Sequence, residues 1–265
     1  MQLMLGVAVS DAALLRTFAE AHPRPLEIAS SGGIHEGVWG IGFHAHGEIL
    51  TKRGPVGRGA SMLEHLRDVR ARHVVLIADA DAPSRHMDER CPLRYRDWLF
   101  AMTGADSLGV DFGRKVQSEL QTYAFSQKRN TSPEEAALMV FMDALERVNA
   151  RDTRDLTTRA IQRAVATAAR RIRELAPDAV ALFMLHVPGT LIAIGLGRPV
   201  YVARFRGAGE VARGAHALHP RAARGDHLKA VLIGDRTSDD VVWEPLGEGL
   251  AAEVDSGCDV RPFPV

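Results

Sequence analysis

The sequence predicts an α+β protein built from two antiparallel sheets packed together, with helices outside. Three observations carry this. Short apolar runs bounded by turn residues occur in both halves of the chain, two amphipathic helical segments lie between them, and strands do not alternate with helices as a parallel doubly wound sheet requires.

Residues 2–9 form a short apolar run and read as a strand buried on both faces. Asp11 is placed to cap a helix carrying Leu14, Leu15 and Phe18. Val38 to Phe43 and Glu48 to Lys52 read as a hairpin around Ala45-His46-Gly47. Residues 60–70 present Met62, Leu63, Leu66 and Val69 at helical spacing, and Val74 to Ala78 is a further buried strand. Trp98 to Met102 is a strand ending at Thr103-Gly104. Ser132-Pro133-Glu134-Glu135 is a helix start, with Ser132 as N-cap, Pro133 in the first turn and Glu135 completing a capping box. The helix behind it buries Ala137, Leu138, Phe141 and Leu145.

A second helix is expected from about Thr153 to Leu175, with Leu156, Ala160, Ala164, Ala168, Ile172 and Leu175 as its buried stripe and arginines on its solvated face. Strands near 180–186, 190–194 and 199–204 follow, with Pro188-Gly189 as a turn. Residues 207–227, rich in Gly, Ala, Arg and His, read as a long loop. Strands near 229–234, 241–244 and 250–254 finish the chain, and the whole of 1–265 reads as a single domain without internal repeat.

Composition narrows the function. With 33 Lys+Arg against 33 Asp+Glu, no net field recruits nucleic acid or an anionic membrane. Cys91 and Cys258 supply neither a disulfide framework nor a metal spacing, which fits a reducing, cytoplasmic setting. No basic segment followed by a long apolar run marks a leader peptide, and no run reaches the ~20 apolar residues of a membrane helix.

Several segments together resemble a known family. The opening Met1-Gln2-Leu3-Met4-Leu5-Gly6, the segment His35-Glu36-Gly37-Val38-Trp39-Gly40-Ile41-Gly42-Phe43, the pair Glu89-Arg90-Cys91-Pro92-Leu93 and Trp98-Leu99-Phe100-Ala101-Met102-Thr103-Gly104, then Thr131-Ser132-Pro133-Glu134 and Trp243-Glu244-Pro245-Leu246, follow the order and spacing of class II glutamine amidotransferases, in particular their stand-alone glutaminase-like branch. The resemblance spans nearly the whole chain. It implies the four-layer αββα sandwich of N-terminal-nucleophile hydrolases.

The resemblance also implies a chemistry that this chain lacks. The family begins Met-Cys and uses the exposed cysteine as nucleophile, its α-amine as base, an Asn side chain and a Gly N–H for the oxyanion, and an Arg and an Asp for the substrate's charged groups. Here the nucleophile position holds Gln2, and a carboxamide does not attack a carbonyl carbon. A bulky second residue also implies that Met1 is retained. The oxyanion Asn aligns with Thr103, the Arg falls near Ala78, and the Asp aligns with Ser132 or Pro133; Gly104 alone survives. No catalytic residue, cofactor or metal is therefore expected. The expectation is a pseudoenzyme that binds, scaffolds or regulates, as a homodimer or with a protein partner. A small-molecule ligand would sit in the degenerate cleft near His35, Trp39, Asp79 and Asp81. The alternative is an amidohydrolase with a repurposed site acting on a small amide through Asp79, Asp81 or Cys91.

Remaining candidates have plainer readings. His44 and His46, alternating on a strand with His35 nearby, offer a metal set, although such pairs more often simply face solvent. Asp79, Asp81 and Asp106 offer a hard-cation set, against the simpler reading of a polar loop after a buried strand. Arg213, Arg221 and Arg224 within residues 207–227, with Arg204, Arg206 and Lys229 flanking them, make this region basic and suited to an acidic partner or a phosphate, against the simpler reading of a mobile loop without a partner; without aromatics beyond Phe205, nucleic acid is the weakest of these.

Overall fold

A computed structural model describes residues 2–28, 37–56, 61–79, 92–120, 132–148, 157–212 and 227–265. Its strands are β1 (Gln2–Val9), β2 (Val38–Ala45), β3 (Glu48–Pro55), β4 (His73–Asp79), β5 (Leu93–Tyr95), β6 (Trp98–Thr103), β7 (Ala181–Val187), β8 (Thr190–Leu196), β9 (Tyr201–Arg206), β10 (Lys229–Gly234), β11 (Glu244–Pro245), β12 (Leu250–Asp255) and β13 (Val260–Pro264). Its helices are α1 (Leu14–Ala21), α2 (Pro23–Leu26), α3 (Met62–Arg67), α4 (Phe112–Glu119), α5 (Pro133–Arg147), α6 (Thr158–Leu175) and α7 (Gly207–Val211), with a 3-10 turn at Ala105–Leu108.

Two antiparallel sheets stack face to face. One runs β11-β9-β10-β1-β4-β2-β3, the other β13-β12-β8-β7-β6-β5. Three apolar layers follow from strand alternation. Leu5, Val7, Val9, Ile41, Leu76 and Leu232 point outward from the first sheet under α1 and α3. Phe100, Phe183, Leu185 and Ile194 point outward from the second under α5 and α6, where Phe141 packs against both Phe100 and Phe183. Met4, Ala8, Val75, Ile77, Leu99, Ala101 and Met184 fill the space between the sheets. The result is a helix–sheet–sheet–helix sandwich.

Glycines set how closely the sheets approach. A Cβ on Gly6 would lie 2.6 Å from Leu191 and 2.8 Å from Met184, and one on Gly42 2.5 Å from Leu99. Along Trp39-Gly40-Ile41-Gly42 the large residues thus face the helices and the glycines face the opposite sheet.

Helix starts follow their caps. Ser61 accepts from the Glu64 amide at 3.2 Å while its own amide donates to Glu64 Oε2 at 2.6 Å. Ser132 Oγ accepts from the Glu135 amide at 3.2 Å, as the sequence indicates. Helix α6 starts at Thr158, capped by Thr157; the expected start at Thr153 and the stripe residue Leu156 lie outside the described residues. Its buried face includes Ile161, Val165 and Ala169 besides Ala164, Ala168, Ile172 and Leu175, whereas Ala160 is half-buried. Asp11 accepts from the Ala13 amide at 2.9 Å, and stands two residues before Ala13, the N-cap of α1, rather than at the cap itself.

Three expectations change. The region expected to be loop from 207 opens with helix α7, whose Glu210 accepts from the Arg206 amide at 2.7 Å. The strand near 241–244 shrinks to the two-residue β11 at a sheet edge. Strands β5 and β13, too short or proline-broken to show a period, were not anticipated. No described helix is long and apolar enough to cross a membrane.

Candidate functional site

Strand β1 runs through the centre of its sheet and directs its even-numbered side chains between the sheets, so Gln2 follows Met4 into the interior. In β4, Asp79 continues the interior row of Val75 and Ile77, and the register pairs Gln2 with Asp79. From the other sheet, Thr103 ends β6 and Gly104 turns away at φ +80°. A Cβ at 104 would lie 2.1 Å from the Val180 carbonyl oxygen, so both conformation and space demand glycine here.

Gln2 bridges the two sheets through its carboxamide. Its Nε2 donates to Asp79 Oδ2 at 2.8 Å, and its Oε1 accepts from the Gly104 amide at 2.8 Å. Asp79 is 2% exposed. The single backbone donor that the resemblance assigns to oxyanion stabilisation is thus engaged by the chain's own side-chain amide.

A second polar set borders this one. Thr103, fully buried, accepts from Arg198 Nη1 at 3.2 Å. Arg198 Nη2 pairs with Asp235 Oδ1, and Asp235 Oδ2 accepts from the Met4 amide at 2.8 Å. Burial raises the Asp235 pKa above the usual carboxylate value, with the Arg198 guanidinium opposing the rise. No arginine lies near Ala78 in sequence, yet Arg198 reaches this end of the sandwich from the turn between β8 and β9. Nothing local in the sequence marks it, because its partners are 95 and 37 residues away.

The other expected residues disperse. Ala78 and Trp39 point to the helix-covered face, where Trp39 packs over Gly54 and His65, so neither faces the inter-sheet site. Ser132 is a helix cap. His35, Asp81 and Cys91 lie outside the described residues. Asp79 is an interior strand residue rather than part of a polar loop, and Asp106 is exposed on the 3-10 turn. His46 occupies the β2–β3 turn at φ +53° instead of alternating with His44 along the strand. Of the basic region, Arg204 pairs with Glu244 and Lys229 with Asp259; Arg213, Arg221 and Arg224 are outside the described residues.

His44 instead faces inward and joins His73 and His186. Ring centroids are 4.5 Å apart for His44–His186 and 5.2 Å for His73–His186. His73 Nε2 donates to the Asp255 carbonyl at 3.2 Å, whereas His44 Nε2 and His186 Nδ1 are buried without a hydrogen-bond partner. Burial lowers all three pKa values, His73 to about 4 and His186 well below the ordinary value. Because Ala8 pairs with His73 and Gln2 with Asp79, this cluster sits at the far end of the strands from Gln2. Among the described residues, no group of three or more His, Cys, Asp or Glu side chains is arranged to hold a metal ion.

Comparison with solved structures settles the fold. A glutamine aminotransferase class-II domain protein from Silicibacter pomeroyi superimposes over 100% of this chain and 99% of its own, with TM-score 0.54 and 12% identity. A predicted glutamine amidotransferase from Pseudomonas aeruginosa does so over 97% and 98%, with TM-score 0.55 and 15% identity. This chain has a class II glutamine amidotransferase-like fold. Glutamine phosphoribosylpyrophosphate amidotransferase from B. subtilis is similar over 100% of this chain, with TM-score 0.51 and 9% identity, but the chain spans only 49% of that enzyme. No family model matches the sequence, and no curated protein does. At these identities the likeness shows the fold and carries no statement about side-chain chemistry.

Proposed function

We propose that this chain is a catalytically silent class II amidotransferase-like protein that serves as a binding, scaffolding or regulatory subunit, alone as a homodimer or with a protein partner. One observation carries the reading: the Gln2 carboxamide spans from Asp79 to the Gly104 amide, 2.8 Å at each end. The chemistry that the resemblance implies uses a cysteine thiolate at position 2 and a Gly104 N–H directed at the carbonyl oxygen of the substrate. Gln2 supplies no nucleophile and holds the N–H itself. Thr103, aligned with the oxyanion Asn, has its hydroxyl facing Arg198. The alternative, a repurposed amidohydrolase acting on a small amide, would use Asp79, Asp81 or Cys91; of these, Asp79 is buried and bound to the Gln2 amide, and Asp81 and Cys91 lie outside the described residues.

The test is release of ammonia and glutamate from L-glutamine by purified protein. The expected result is no release above a buffer blank, for the native chain and for Gln2→Ala alike. Glutamate release by the native chain that is lost in Gln2→Ala would defeat the proposal. Light scattering on the same preparation reads the oligomeric state.

A further inference from the structure

We propose that the cavity beside Arg198 is a binding site for a small organic anion, a carboxylate or phosphate joined to an apolar body. This goes beyond the proposed silence of the Gln2 site and does not depend on it, because Asp79 and Gly104, which hold the Gln2 carboxamide, do not line the cavity. The cavity has a volume of about 830 Å³, within the ~300–1,000 Å³ typical of small-molecule sites. Its walls are the turn between β8 and β9, residues 246–250, and the end of α6 with the segment behind it.

Two arginines line it, Arg173 and Arg198, against one carboxylate, the exposed Glu248. Arg198 is fixed in place before any ligand arrives: Nη1 donates to Thr103, Nη2 pairs with the buried Asp235, and the side chain keeps 26% of its surface exposed. A guanidinium carries five donors, so this anchoring leaves others for a ligand. Arg173 makes one long bond, from Nη1 to the Val265 main-chain oxygen at 3.4 Å. Pro177, Pro199, Val200, Leu246 and Leu250 provide apolar wall. The shape of the wall itself is constrained by glycine. A Cβ on Gly195 would lie 2.3 Å from the Arg198 carbonyl oxygen, and one on Gly197, at φ +62°, 2.6 Å from that of Ala179. A prepositioned fork with a second cation beside apolar surface is the arrangement that recognises an anionic head on an apolar body.

Phenyl phosphate, benzoate and benzyl alcohol share one ring and differ in the head, so they form the test set, titrated calorimetrically into the full-length protein. The expected result is binding of phenyl phosphate, benzoate or both, none of benzyl alcohol, and at least about a tenfold weakening in Arg173→Ala. The ratio of the two anions tells phosphate from carboxylate. Arg198→Lys keeps a cation beside Asp235 while removing the fork, and should weaken binding similarly in a chain whose folding is checked by circular dichroism. Equal binding of benzyl alcohol, unchanged anion affinity in both variants, or no anion binding at about 10 mM would overturn the proposal.

Discussion

Acidification should weaken this fold through its histidines, and His73→Gln should remove a measurable share of that weakening. The folded protein holds His73 at about 4 against an ordinary value of 6.5, because burial penalises the imidazolium. Between those values the unfolded chain binds a proton that the folded chain refuses. The contribution is therefore fully present above pH 6.5 and is lost as pH falls toward 4. From about pH 7.5 to about pH 5, the difference between the two titrations amounts to roughly 2 kcal/mol for this residue. The charged groups around the cluster do not reverse the sign. Asp255 and Asp97 raise the pKa values of His73 and His44, while Arg72 and Arg94 lower them, and burial exceeds all four. Urea unfolding of native and His73→Gln protein at the two pH values reads the effect. The native chain should lose about 2 kcal/mol more than the variant. Equal losses in the two proteins would refute the reasoning, since buried Asp235 and Glu253, whose raised pKa values act in the opposite direction, are common to both.

Other perturbations give distinct signatures. Gln2→Ala removes the hydrogen bond to Asp79 within its own sheet and the one from Gly104 of the other sheet, and should cost about 1–3 kcal/mol in urea unfolding, without changing glutaminase activity. Gly104→Ala forces a Cβ to 2.1 Å from the Val180 carbonyl at a positive φ; it should destabilise by more than about 2 kcal/mol or abolish soluble expression. Arg198→Ala leaves Asp235 buried without its cation and should cost about 3–5 kcal/mol, partly restored by Asp235→Asn in the same chain. Phe141→Ala opens the space between Phe100 and Phe183 and should cost about 3–5 kcal/mol.

Much of the fold is legible in local pattern. The apolar runs of β1, β4 and β7, the hairpin turn at His46-Gly47 and the cap at Ser132 each depend on neighbours within a few residues, so their signal is in the string itself. Strand β13 is not legible: Pro262 and Pro264 argue against a strand, and it is tolerated at the sheet edge next to β12. The start of α6 depends on which of several threonines becomes the cap, and Thr157 does.

The site divides in the same way. That position 2 holds glutamine and that Thr103-Gly104 stands where the resemblance places an amide side chain and a glycine can be read in the sequence, and the proposal of catalytic silence starts from them. Where those side chains go cannot be read there. Strand parity sends Gln2 and Asp79 between the sheets and Trp39 and Ala78 to the helices, and only sheet pairing fixes that parity. The hydrogen bond from the Gly104 amide to Gln2 spans 102 residues, the ion pair of Arg198 with Asp235 joins two turns, and the three histidines come from three strands in two sheets. Sequence determined which groups the chain carries; the stacking of two sheets, with glycines allowing their close approach, decided which of those groups meet.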